Sequence, residues 1–284
     1  MARPMRSWMY VPGNNPRFIE KALTEVPADV VLLDLEDGVT PAEKAHAREL
    51  VREALGRPAG GPRRWVRTNP VGSSWWEADV DAVLVEGVEG IALPKVEEPE
   101  EVHEAARHLE RRSRDIAIVA TIETARGLLR APAIAEAHPR VLGLMFGAED
   151  FALDLGLGTR REAEAQELVH ARSALVIAAA ADHKLAIDGV FPDLEDETGF
   201  RADLAQARRL GFKGKSTFNP RQVEPINRSF APTSDEIAYA RRVVAAFEAA
   251  QTRGDGSVAV GGQLVDRPVV ARAQRLLELV EEGT

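Results

Sequence analysis

IAIVATIETARGLLRAPAIAEAHPRVLGLMFGAED, residues 116–150, decides the fold. Two short apolar runs rich in branched side chains, IAIVAT (116–121) and LGLMFG (142–147), flank TARGLLRAPAIAEA (124–137), which has helical spacing. Strand, amphipathic helix and strand in that order describe two parallel strands joined by a crossover helix. A carboxylate follows each run, Glu123 in TIET and Asp150 in GAED. Carboxylates at the exits of neighbouring parallel strands suit a hard, oxygen-ligated cation. Mg2+ keeps several waters and needs only one or two of them. The competing reading makes both acids caps of the helices that follow.

The same alternation extends in both directions. Strands are expected at SWMYV (7–11), VVLLDL (30–35), RWVRT (64–68), GIALP (90–94), KLAID (184–188) and GKSTF (214–218), besides the two above. Helices are expected at PRFIEKALTE (16–25), PAEKAHARELVREAL (41–55), SWWEADVDAVLV (74–85), EPEEVHEAARHLERR (98–112), EAEAQELVHARSALVIAAAAD (162–182) and ETGFRADLAQARRL (197–210). Local signals support several boundaries: Thr40-Pro41 as cap and first helical residue, Thr159 before a Glu-rich run, and Gly211 as a helix stop. Eight strands alternating with helices predict a (β/α)8 TIM barrel, with an open doubly wound sheet as the alternative. No GxGxxG follows the first strand, which weighs against a dinucleotide site. No linker divides the first 230 residues, so residues 1–230 read as one barrel domain. Residues 231–284 leave the repeat: a helix at 235–250, Gly-rich RGDGSVAVGGQLVDRP, and a last helix in VVARAQRLLELVEE. They read as a small helix-and-hairpin appendage serving as a lid or an oligomerisation segment.

Composition narrows the class. The 284 residues are 45% apolar, carry a formal charge of −9 and contain no cysteine, which excludes disulfides, thiolate chemistry and Cys-ligated zinc. No basic tract is present and aromatic residues are 5% of the chain, so neither a nucleic acid nor a membrane surface is an expected partner. The N-terminus lacks the apolar stretch of a secretory signal, and a cytoplasmic location is expected. His103 and His108 are five apart and do not share a helix face. Trp75 and Trp76 read as packing residues.

Barrel enzymes work at the C-terminal ends of their strands. Those ends read VPG, LEDG, RTNP, LPK, TIET, GAED, IDG and STFNP. Arg67 in RTNP could hold a substrate carboxylate bidentately, or bridge to an acidic exit. Asp34, Glu36 and Asp37 in LEDG could orient metal-bound waters or fix Arg67 and Lys95 from behind. Gly38 is expected to relieve backbone strain at that turn. Lys95 in LPK is either a charge partner of the LEDG acids or a Schiff-base nucleophile.

RSWMYVPGNNP (6–16), VVLLDLEDGV (30–39), WVRTNP (65–70), GIALPKVE (90–97), ATIETARGL (120–128) and MFGAEDF (145–151) together resemble the citrate lyase beta-subunit family of the HpcH/HpaI aldolase/citrate lyase superfamily, which is similar to the malyl-CoA and citramalyl-CoA lyases. The resemblance implies a Mg2+-dependent carbon–carbon lyase that cleaves or forms citryl-, malyl- or citramalyl-CoA, with a 2-oxo acid and acetyl-CoA as the other side of the reaction. Glu123 and Asp150 would hold Mg2+. Arg67 and Glu123, with the backbone amides of Ala148 and Glu149, would bind the acid. Glu36, Asp37 and Lys95 would stand behind them. Asp266 in QLVDRP matches an acid that moves the proton in such enzymes, in some of them from a neighbouring subunit. Its alternative role is to cap the last helix. The resemblance also implies a homo-oligomer, trimer or hexamer. One motif departs: where relatives commonly read IHP, this chain reads FNP, and Asn219 cannot act as a base. The competing functions are an acyl-carrier-dependent beta subunit of a citrate lyase complex, a Schiff-base aldolase using Lys95, and a non-catalytic binding protein.

Overall fold

Alternation along each strand sorts side chains to two faces. In the computed structural model, which describes residues 3–58, 60–112, 115–159 and 165–282, those faces become the inside and outside of a closed barrel. Its strands are β1 (Ser7–Pro12), β2 (Val30–Asp34), β3 (Arg63–Arg67), β4 (Gly90–Leu93), β5 (Ala117–Ile122), β6 (Val141–Phe146), β7 (Leu185–Asp188) and β8 (Gly214–Thr217). All pair in parallel, in sequence order, and β8 returns to β1. The helices between them are α1 (Pro16–Thr24), α2 (Lys44–Leu55), α3 (Trp76–Val83), α4 (Pro99–Arg111), α5 (Ala125–Glu136), α6 (Ala148–Asp154), α7 (Val169–Ala181) and α8 (Glu197–Leu210), and α9 (Pro220–Phe230) follows β8. The expected TIM barrel is the observed fold.

Inside, Trp8, Val30, Leu32, Trp65, Ala92, Val119, Met145 and Ile187 pack together. Trp8 meets Trp65 edge-on at 5.0 Å between centroids and satisfies its indole N–H on the Met5 carbonyl. A methyl group on Gly90 would overlap the Trp65 ring, so the small residue on β4 makes room for the large one on β3. Outside, the alternate residues, such as Val31, Leu33, Ile91, Leu93, Ile118 and Leu144, pack under the helices.

Several local expectations change. α2 starts at Lys44, not Pro41; residues 41–43 form a 3-10 turn, and Thr40 gives its hydroxyl to Glu43 instead of capping. α6 and α9 were not expected: α6 has seven residues, and Pro225 inside α9 disguises the helix. α7 starts at Val169 after a second 3-10 turn, Gln166–Leu168. The expected helix over 162–164 and the start signalled by Thr159 fall on residues 160–164, outside the described residues. Gly211 ends α8 in the left-handed region at φ +107°, as its position suggested.

Between the barrel and its helices lies a buried charge quartet absent from the sequence reading. Arg172 on α7 grips Asp188 at the end of β7 through two hydrogen bonds (3.0 and 2.8 Å) and reaches Asp203 on α8 at 3.0 Å. Lys215 on β8 contacts the same two carboxylates at 2.5 and 2.7 Å. Two cations and two anions cancel, which is the condition for burying charge. Burial alone would raise the Asp188 carboxyl, but Lys215 and Arg172 outweigh it and hold it below the usual range.

The chain divides into two compact units, Met5–Phe230 with the barrel and a second that contains everything from Ala231 on. The second unit comprises α10 (Ser234–Thr252), a hairpin of β9 (Val258–Val260) and β10 (Gln263–Val265), and α11 (Arg267–Glu282). Ala240, Val243, Phe247, Val265, Val270 and Ala273 form its core. Among the described residues no helix is long and apolar enough to cross a membrane.

Replacing Arg172 by Met leaves two buried carboxylates facing one cation. Urea unfolding should show a loss of about 3 kcal/mol. Because the folded pKa of Asp188 is depressed, its contribution is present above about pH 4 and lost as pH falls further. The variant should therefore unfold in acid at a higher pH than the parent.

Candidate active site

Register brings the first pair together. Asp34 and Arg67 are partners across β2 and β3, on the inward face. Arg67 donates from Nε to Asp34 Oδ1 and from Nη2 to Oδ2, each at 2.7 Å, a bidentate fork. Its Nη1 lies 2.8 Å from Glu36 Oε2, and its guanidinium carbon lies 4.8 Å from the centre of the Tyr10 ring. Burial works against the Asp34 carboxylate, yet Arg67 holds its pKa below the usual range. Burial likewise opposes the Arg67 charge, and Asp34 more than restores it.

Asp34 also folds the turn after it, accepting the N–H groups of Glu36 and Gly38, each at 2.9 Å. This explains Gly38 differently from the expectation. Its φ is not in the left-handed region; a Cβ there would strike the Asp34 carboxylate. The glycine supplies space, not strain relief.

Lys95 follows β4 with φ +53°, a left-handed conformation that costs a non-glycine residue about 1 kcal/mol. The geometry it permits is specific. Its N–H donates to Glu123 Oε1 at 2.6 Å, while its Nζ reaches Glu36 Oε1 at 2.6 Å and Asp37 Oδ2 at 3.2 Å. Burial would lower the Lys95 ammonium, but Glu36, with Asp37 and Asp150 beyond it, raises its pKa above the ordinary lysine value. Lys95 is a charge partner of the LEDG acids, one of the two roles foreseen for it. For Glu36 itself, burial outweighs Arg67 and Lys95, and its carboxyl is raised.

Glu123 is 3% exposed. Burial, then the charges of Glu36 and Asp150, push its pKa up to about 8. The β5–β6 register ends with Ile122 opposite Phe146, so Glu123 and Gly147 come next, side by side. A Cβ on Gly147 would overlap the Glu123 carboxylate, so glycine keeps that cradle open. Ala148 and Glu149 open α6, and Asp150 is its half-buried third residue.

Five carboxylates therefore converge on two cations, Arg67 and Lys95. Asp34, Glu36 and Asp37 have cationic partners; Glu123 and Asp150 form no ion pair among the described residues. Glu123 differs from Glu36, which is also raised by burial, in having no cation paired with it among the described residues. A divalent cation between Glu123 and Asp150 would supply that charge, so the donor set fits Mg2+. Among the described residues no three His, Asp or Glu form a cage, and Mg2+ does not need one.

The remaining residues singled out in the sequence are placed as follows. Asp266 precedes α11 in the second unit, and its Oδ1 accepts the Val269 N–H at 3.4 Å, a capping geometry. Asn219 is used in a turn, its Oδ1 accepting the Arg221 N–H. Trp76 is buried against His108, which pairs with Asp81, while Trp75 is partly exposed beneath the Lys44 ammonium. A cavity of about 310 Å3 opens beside Asp196, Arg201, Asn219 and Arg221, and none of the acids of the site line it.

The sequence reading missed Tyr10 and the polar group below LEDG: Lys44, Asn69, Asp79 and Arg48. Tyr10 alternates with inward Trp8, a signal that was available. Lys44 and Asn69 carried no pattern of their own.

Comparison with known proteins establishes the family. The model of the HpcH/HpaI aldolase/citrate lyase family matches residues 6–220. The chain is 41% identical to citrate lyase subunit beta of Leuconostoc mesenteroides subsp. cremoris, over 98% of this chain and 93% of that protein. It is 38% identical to (3S)-malyl-CoA thioesterase of Cereibacter sphaeroides, over 99% and 96%. The crystal structure of protein CitE from Mycobacterium tuberculosis with magnesium, acetoacetate and coenzyme A superposes with a TM-score of 0.81, at 33% identity and 97% coverage of both chains. The citrate lyase beta subunit of the same organism with oxaloacetate and magnesium gives 0.70, at 32% identity, covering 81% of this chain and 98% of that one. The chain belongs to the HpcH/HpaI aldolase/citrate lyase family.

Metal ligation needs Glu123 ionised, so protons and Mg2+ compete. Without metal, the folded pKa of about 8 lies above the unfolded carboxyl value of about 4.3, and rising pH across that window favours the unfolded chain. Thermal unfolding should show Mg2+ raising Tm more at about pH 8 than at about pH 5.5. Glu123→Gln should remove the Mg2+ shift, and Gly147→Ala should weaken it.

Proposed function

We propose that this family member is a Mg2+-dependent carbon–carbon lyase. Its substrate would be a 3-hydroxyacyl-CoA thioester of the citryl-, malyl- or citramalyl-CoA type, in equilibrium with acetyl-CoA and oxaloacetate, glyoxylate or pyruvate. The observation that carries this reading is the pair Glu123 and Asp150: two carboxylates not spent on cations, at adjacent strand exits, next to a braced arginine. Magnesium bound there would supply positive charge to the oxygens of the 2-oxo acid.

The side chains divide the remaining work. Arg67 gives Asp34 one N–H from Nε and one from Nη2, and still carries further donors on Nη1 and Nη2 for a substrate carboxylate. The first amides of α6, at Ala148 and Glu149, would support the same carboxylate. Lys95 keeps Glu123 oriented through its backbone N–H while its ammonium holds Glu36 and Asp37. Cleavage removes the proton of the substrate hydroxyl, breaks the carbon–carbon bond, and protonates the resulting thioester enolate at carbon. A metal-holding Glu123 cannot move those protons. Asp266 is the proposed group, supplied from a neighbouring subunit in a homotrimer or hexamer.

Two relatives favour specific second readings. Citrate lyase subunit beta aligns with 98% of this chain, so residues 231–284 are not peculiar to stand-alone enzymes and do not argue against an acyl-carrier partner. The likeness to a malyl-CoA thioesterase raises hydrolysis of the thioester as an alternative outcome. A Schiff-base role for Lys95 is disfavoured, because a raised, ion-paired ammonium is a poor nucleophile.

The purified chain, assayed alone with malyl-CoA, citramalyl-CoA and citryl-CoA, decides among these. Lyase action releases an oxo acid without free thiol; hydrolysis releases thiol; an acyl-carrier-dependent subunit turns over none of them. Activity should vanish with EDTA and return with Mg2+. Glu123→Gln and Asp150→Asn should each abolish turnover with the fold intact, and full activity in both would refute the metal assignment. Asp266→Asn should bind Mg2+ and oxo acid yet lose carbon–carbon chemistry; normal turnover would reduce Asp266 to a helix cap.

A further inference from the structure

Lys44 begins α2, where a cation opposes the helix dipole, and it is 6% exposed. Neither helix stability nor solvation accounts for it there. Its ammonium has three N–H donors and three oxygen neighbours: the carbonyls of Leu35 and Glu36 and Oδ1 of Asn69, each at 2.8 Å. Asn69 is itself aimed by Asp79, whose Oδ2 accepts the Asn69 backbone N–H at 2.8 Å and its Nδ2 at 2.5 Å. Arg48 steadies Asp79 at 2.7 Å. The ammonium thus ties the backbone of the LEDG turn to the exit of β3.

We propose that Lys44 is a positioning residue: by clamping the backbone carbonyls of Leu35 and Glu36, it sets the Glu36 carboxylate between Arg67 and Lys95, and through Lys95 the orientation of Glu123. The consequence for turnover rests on the lyase reading above; the positioning itself does not. Glu36 is the only acid of the site that contacts both cations among the described residues. A shift of its backbone releases both at once.

The test uses Lys44→Met, Glu36→Gln and the double variant, each checked for folding by circular dichroism. The first readout is the rate at which an amine-reactive reagent labels Lys95, followed by mass spectrometry. In folded Lys44→Met, Lys95 should label several-fold faster, while exposed lysines such as Lys21 are unchanged. The second readout is kcat and KM with whichever thioester the parent turns over. Lys44→Met should lose roughly 10- to 100-fold, mainly in kcat, as loss of a supporting partner does. In the Glu36→Gln background it should add no more than about twofold, because residues acting through one another are non-additive. Unchanged Lys95 labelling, or equal losses in both backgrounds, overturns the proposal. If Lys44→Met does not fold, Asn69→Ala removes one of the three contacts and should show the same signature at smaller size. A parent inactive toward every free thioester refutes the stand-alone CoA-thioester reading in favour of the acyl-carrier one, and Lys95 labelling still decides the positioning role.

Discussion

One carboxylate shared by two cations holds the site together. Glu36 faces Arg67 on one oxygen and Lys95 on the other, and burial of its carboxylate strengthens both contacts. Through it the exits of β2, β3 and β4 form one unit, and the Lys95 amide extends that unit to Glu123 beyond β5. The placement of Arg67 and Glu123 in the proposed chemistry depends on this arrangement. Arg67 can present its remaining donors only because Asp34 and Glu36 fix its plane.

The molecule treats charge in two ways. Around β7 and β8, Arg172, Lys215, Asp188 and Asp203 balance completely, and the result is a lock between barrel and helices. Around β2 to β6 the balance is deliberately short: acids outnumber cations, and Glu123 carries the strain as a raised pKa. A neutral quartet needs nothing more. The unpaired acids at the exits of β5 and β6 can take a cation, and CitE from Mycobacterium tuberculosis is seen with magnesium. Small residues serve the same end: Gly38 and Gly147 are required for the room they leave beside Asp34 and Glu123.

Much of this was legible in the chain. The eight strands, their order, the segregation of polar residues to their exits, and the membership of Glu123, Asp150, Arg67, Glu36, Asp37 and Lys95 in one neighbourhood follow from local pattern and from resemblance. The features that escaped were those without periodic signature. α6 was too short to register, Pro225 hid α9, and Lys44 looked like any charged residue in a first helical turn. Gly38 was recognised as significant for the wrong reason, because the contact that requires it is with a side chain four residues earlier.

The sequence by itself determined the barrel and the set of residue types at its mouth, since alternation and helical spacing are local properties that any short window displays. Glu123 and Arg67 were candidates on that basis alone. Only the tertiary structure decided which acids are spent on Arg67 and Lys95 and which are left over. Coulomb energy depends on distance and burial, and both are set by strand register between segments dozens of residues apart. The register that puts Asp34 against Arg67, and Glu123 beside Gly147, is what separates a salt bridge from a candidate metal ligand.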